Sequence, residues 1–124
     1  MIQGIEHTAI CSPDPKGLAA WYVSTLGFSV AYESPSTMIV KAQNGYMIEI
    51  TTAEGARPAQ GMKLPGLRHM AIAVTDFDGV LKTLRSKNVT FVGEPIENKG
   101  NKVVFFSDPE GNLLHLLERA KPLS

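Results

Sequence analysis

Hydrophobic and polar positions along the chain change rhythm in a fixed order, and that order occurs twice. Residues 3–10 alternate loosely and contain Ile, Thr and Ala, which predicts a strand. Asp14 followed by Pro15 then supplies an N-cap with proline at the first helical position. Leu18, Trp21, Tyr22 and Leu26 carry helical spacing, which makes the two aromatics core residues, and Gly27 stands where a left-handed residue ends a helix. Phe28 to Glu33, Ser36 to Ala42 and Tyr46 to Thr52 read as three strands separated by Ser-Pro-Ser and Gln-Asn-Gly turns. The predicted order is βαβββ.

Leu67 to Val74 begins the same order again. Asp76 is the second N-cap, Phe77, Val80, Leu81 and Leu84 mark the second helix, and Asn88 is its stop. Strands are expected near 89–93, 102–107 and 112–118. When His7 is placed over His69, Gly4 falls on Gly66, Ala9 on Ala71, Ile10 on Ile72, Asp14 on Asp76 and Gly17 on Gly79. At the end of each half NGYMIEI aligns with EGNLLHL, so Glu49 lies over His115. Two copies are too few for a solenoid, and a paired module is the expectation: module 1 over about 1–53, a Gly-, Pro- and Ala-rich linker over about 54–65, and module 2 over about 66–119. The fold class is α+β, in one domain.

Composition narrows the function. At 124 residues the chain is long enough to bury a core without disulfides. Twelve basic residues against twelve acidic ones leave no excess to neutralise a phosphate backbone, so nucleic acid is not an expected partner. No apolar run approaches the roughly 18 residues of a spanning helix, and the start has no secretory pattern; a cytoplasmic protein without a membrane partner is expected. Cys11, the single cysteine, reads as buried packing in an apolar strand. Arg57, Lys63, Arg68, Lys99 and Lys102 lie in or near predicted loops and read as solvated charges rather than an anion clamp.

The three histidines and one glutamate carry the chemistry. Glu49 interrupts the run Tyr46 to Ile50, and His115 interrupts Leu113 to Leu117; a polar group there is costly to bury unless paired or bound to a cation. His7, Glu49, His69 and His115 occupy equivalent positions in the two copies. If the halves pack about a pseudo-twofold axis, the four converge on a site for Zn, Ni, Co, Mn or Fe. Glu118, three residues beyond His115, should point to the opposite face and is expected on the outer surface.

IEHTAI near the start, AAWYVSTLGFSV, RHMAIAVTD and FFSDPEGNLLHLLE make the chain resemble the vicinal oxygen chelate superfamily, which includes glyoxalase, bleomycin resistance proteins and extradiol dioxygenases. That resemblance implies two tandem βαβββ modules forming a cupped mixed sheet around a divalent metal ion, with ligands on the first and fourth strands of each. Those positions match His7, Glu49, His69 and His115. The family's last ligand is usually a glutamate, and here it is His115. The resemblance further implies a small-molecule substrate chelated through vicinal oxygens and a glyoxalase-like lyase or isomerase, with Glu49 as the proton-transferring base and His115 as the alternative. An Fe(II)-dependent dioxygenase of extradiol type and a non-catalytic antibiotic-binding resistance protein are the other readings; metal analysis and chelator sensitivity discriminate among the three. A homodimer is expected, since long cupped sheets leave edges that a partner covers.

Overall fold

The computed structural model describes residues 1–59 and 61–124; Gln60, within the predicted linker, lies outside the described residues. The chain divides into two compact units, residues 1–58 and 59–124. Each is an α+β unit with its own sheet. Among the described residues no helix is long and apolar enough to cross a membrane.

The first unit runs β1 (His7–Ser12), α1 (Pro15–Leu26), β2 (Ser29–Glu33), β3 (Thr37–Lys41) and β4 (Met47–Thr52). Its strands lie in the order β1-β4-β3-β2, with β1 and β4 parallel and the remaining pairs antiparallel. The first strand therefore pairs with the last, and β1 and β2 form the two edges of the sheet. A helix covers one face only: Leu18, Ala19 and Tyr22 of α1 are buried, as are Met38, Val40, Ile48 and Ile50 of the sheet. Alternation sends Ile39, Met47 and Glu49 to the opposite, open face.

Asp14 caps α1 by accepting from Gly17 N at 3.1 Å, and Gly27 ends it in the left-handed region at φ 76°. A Cβ on Gly17 would fall well inside van der Waals contact with the Asp14 carboxylate, so any larger residue there must displace the capping group. The N-terminal strand starts later and ends later than the alternation suggests, at 7–12 rather than 3–10. Cys11 is exposed, contrary to the expectation of buried packing. The reason is period two: Ser12 faces the helix and is fully buried, which leaves Cys11 on the open face with His7 and Ala9.

The second unit runs β5 (Met70–Ala73), α2 (Phe77–Ser86), β6 (Thr90–Phe91), β7 (Ile96–Asn98), β8 (Asn101–Ser107) and β9 (Leu113–Glu118). Its sheet order is β5-β9-β8-β6, with β7 also paired to β8, and β5 and β9 are parallel. Asp76 caps α2 through Gly79 N at 3.2 Å, repeating the device of the first unit. Asn88, at φ 58°, occupies the left-handed position after the helix. Phe77, Leu81 and Leu84 on α2 and Val104, Phe106, Leu114 and Leu116 on the sheet form the core.

Two details depart from the predicted order. An extra short strand, β7, forms a hairpin with β8 across Lys99 and Gly100, both at positive φ, as a two-residue hairpin turn requires. Glu118 is not an outer-surface residue. It does face away from His115, but that face is the one covered by the helix, and its Oε1 accepts from Phe77 N at 3.0 Å at the start of α2.

Candidate metal centre

Parallel pairing of the first and last strands builds half of the candidate site in each unit. In the first, Ala9 lies opposite Glu49 and His7 opposite Met47, which puts His7 and Glu49 on the same open face of adjacent strands. Glu49 sits on an interior strand, not an edge. His7 Nδ1 donates to Glu6 Oε1 at 2.9 Å. A carboxylate only accepts, so this bond places a proton on Nδ1, and in the neutral ring the lone pair is then on Nε2. His7 Nε2 is 4.0 Å from Glu49 Oε2, too far for a hydrogen bond. Two electron-pair donors facing each other at such a separation suit a cation. Thr8 and Tyr46, whose positions alternate with those of His7 and Glu49, are hydrogen-bonded to each other through their hydroxyls.

In the second unit Ala71 lies opposite His115 in the parallel β5–β9 pair, and His69 immediately precedes β5 rather than lying in it. The two imidazoles meet with ring centroids 4.3 Å apart. Phe105, opposite His115 across the β8–β9 pair, touches both rings, at 5.5 Å from His69 and 4.9 Å from His115. Asp108 fixes this register. Its buried carboxylate accepts from Glu110 N, Asn112 N and Asn112 Nδ2 at 2.9, 3.0 and 2.7 Å, and so holds the Asp-Pro-Glu-Gly-Asn turn from which β9 starts.

Both ring nitrogens of His115 are buried and have no hydrogen-bond partner among the described residues. Burial, then the neighbouring His69, Arg68 and Arg119, pushes its pKa down to about 4. Burial and then Arg68 lower that of His69 as well. Both rings are thus held neutral at pH 7, the form in which imidazole binds a metal.

Sequence reasoning missed the guanidiniums here. Arg68, expected to be a solvated charge, lies over the Phe105 ring at 5.1 Å, donates through Nε to Met62 O at 2.8 Å, and approaches His69 Nδ1 at 3.4 Å. Arg119 was not singled out, although counting in twos from His115 through Leu117 reaches it.

The structure thus brings His7 to Glu49 in one unit and His69 to His115 in the other. Within either unit, among the described residues, no group of three or more His, Cys, Asp or Glu comes together to hold a metal.

Comparison with known proteins places these features in a family context. The model of the Glyoxalase/Bleomycin resistance protein/Dioxygenase superfamily matches residues 4–116. The chain is 33% identical over 129 residues to the uncharacterized protein YaeR of Escherichia coli (strain K12), covering 95% of this chain and 98% of the relative. It is 31% identical to the uncharacterized protein YwkD of Bacillus subtilis (strain 168), covering 96% and 99%. Among solved structures, oxidase ChaP-H2 superposes with a TM-score of 0.76 at 26% identity, covering 96% of this chain and 95% of that one.

Proposed function

Because the chain belongs to the glyoxalase/bleomycin resistance protein/dioxygenase superfamily, we propose that it is a metal-dependent lyase or isomerase acting on a small substrate with vicinal oxygens. His7 and Glu49 of the first unit and His69 and His115 of the second would be its ligands for a divalent ion. The observation that carries this reading is the unpartnered pair of buried nitrogens on His115. A buried imidazole without partners costs about 1–3 kcal/mol for each orphaned group, a cost that metal ligation would offset. The donor set of three imidazoles and one carboxylate fits Zn, Ni, Co, Mn or Fe.

Such an ion supplies positive charge that stabilises the anion developing when a proton leaves the carbon beside a carbonyl. The chain's own residues do the rest. Glu6 accepts the Nδ1 proton of His7, which in the neutral ring puts the lone pair on Nε2. Glu49 offers a carboxylate oxygen on the open face of the sheet, free of any hydrogen bond that would tie it to the backbone, and is the group assigned to accept the proton. Arg68 and Arg119 favour negative charge near the two imidazoles of the second unit.

The test is metal content of protein purified without added metal, compared with His7→Ala and His115→Ala. About one ion per chain, lost in both variants, is expected from a four-ligand site. Protein that neither carries a metal nor gains thermal stability from any of the five ions would defeat the proposal. Glu49→Gln that keeps its metal and its turnover would defeat the base assignment alone.

A second reading is an Fe(II) oxygenase, favoured by the likeness to oxidase ChaP-H2. It predicts iron in the purified protein and dioxygen consumption in step with substrate loss, without isomerised product.

A further inference from the structure

A groove of about 490 Å³ lies on the open face of the second unit's sheet. Its wall follows β9 outward from His115 through Leu117 to Arg119, with Val103, Asn98 and Asn101 along the neighbouring hairpin. The arrangement is graded. Imidazole lies at one end, hydrocarbon in the middle, and a guanidinium with two amides at the other. At about 3.3 Å per residue, Arg119 stands about 13 Å along the backbone from His115, the length of a small molecule.

Charge in this groove has one sign only. Arg119 lines it, and no aspartate or glutamate does. Arg68 is already engaged by Met62 O, His69 and the Phe105 ring, whereas Arg119 donates no hydrogen bond among the described residues. Asn101 uses Oδ1 to accept from Ala120 N at 3.0 Å, which leaves its amide N–H groups as donors. Five guanidinium donors and the amides of Asn98 and Asn101 match the acceptor-only chemistry of a carboxylate.

We propose that Arg119 is a specificity-determining residue, forming with Asn98 and Asn101 a subsite for a substrate carboxylate whose apolar carbons lie on Val103 and Leu117. This rests on the proposed function for what happens at the His115 end. The substrate class it adds is a small monocarboxylic acid with a short apolar middle, carrying its two chelating oxygens at the end remote from the carboxylate.

The subsite is testable without metal and without turnover. Chelator-treated full-length protein is titrated with hexanoate and with hexanamide, its uncharged counterpart, and followed by backbone amide NMR shifts. Hexanoate is expected to saturate, to shift Val103 and Leu117, and to bind at least tenfold more weakly to Arg119→Ala. Arg119→Lys should recover part of that loss, since it restores charge without the planar fork. Hexanamide should bind more weakly than hexanoate and ignore both substitutions. Affinity should rise by up to about fourfold per methylene from butanoate to hexanoate. Equal binding of acid and amide, no saturable hexanoate binding, or hexanoate affinity untouched by Arg119→Ala would each overturn the subsite. Failure of the metal reading looks different: hexanoate discrimination through Arg119 persists while metal uptake is absent.

Discussion

The imidazole of His115 packs against that of His69 with 50° between their planes, and neither ring nitrogen of His115 has a hydrogen-bond partner among the described residues. Packing and satisfaction are therefore in conflict at this residue. The ring is placed well for contact with Phe105 and His69 and poorly for hydrogen bonding. Such a position is better suited to an apolar ring unless something else engages the nitrogens.

His115→Phe should accordingly stabilise the metal-free protein by about 1–2 kcal/mol, because it removes two orphaned polar atoms and keeps a flat ring. Urea unfolding of chelator-treated protein measures it. The same variant should lose metal uptake, so stability and ion binding should move in opposite directions.

Acid should weaken the metal-free protein. The folded-state pKa of His115, about 4, lies below the ordinary value of 6.5 that the unfolded chain recovers, and that of His69 is lowered too. Between those values the unfolded chain binds the extra proton, so stability is complete above about pH 6.5 and is lost as the pH falls toward 4. Urea midpoints at pH 7 and pH 5 should show the loss, and His115→Phe should reduce it. An unchanged midpoint in wild-type protein would show that the rings are not shielded as described.

Replacing either cap glycine with alanine should destabilise its helix despite alanine's better propensity. Gly17→Ala and Gly79→Ala each drive a methyl into the capping carboxylate, Asp14 or Asp76, and should cost about 1–2 kcal/mol. The cycle with Asp14→Ala is diagnostic: once the carboxylate is gone, alanine at 17 should be neutral or favourable. Additive losses would contradict the steric account.

Asp108→Ala removes a buried carboxylate that accepts from Glu110 N, Asn112 N and Asn112 Nδ2 in a part-exposed turn, and should cost about 2–4 kcal/mol. Because the turn sets the register in which Phe105 faces His115, metal uptake should weaken as well. Asp108→Asn keeps one acceptor oxygen and should fall between the two.

Much of this was legible in the residues. The duplication predicted both caps, because Asp14/Gly17 and Asp76/Gly79 recur at matching positions and perform the same geometry. It also placed His7 with Glu49 and His69 with His115, although His69 lies just before β5 rather than in it. Failures came where tertiary placement decides. Apolar neighbours suggested a buried Cys11, and alternation put Glu118 opposite His115 without saying which face the helix covers, so one was expected inside and the other outside, each wrongly. Strand β7 was missed because Ile96-Glu97-Asn98 is too short to show a period; its signal was the Lys99-Gly100 turn. Arg68 read as solvated because cation–π stacking on Phe105 leaves no mark on spacing.

The parallel joining of β1 to β4, and of β5 to β9, carries a consequence for biogenesis. On a ribosome, no donor pair can form until the last strand of its unit has emerged, because one member always resides there. A nascent polypeptide thus presents solitary histidines, poor competitors for cellular metals, until each unit is complete. If the proposed ion is bound, each pair can contribute only after its own unit is complete, and fragments arrested before residue 47 or 113 should sequester nothing through the pair they lack.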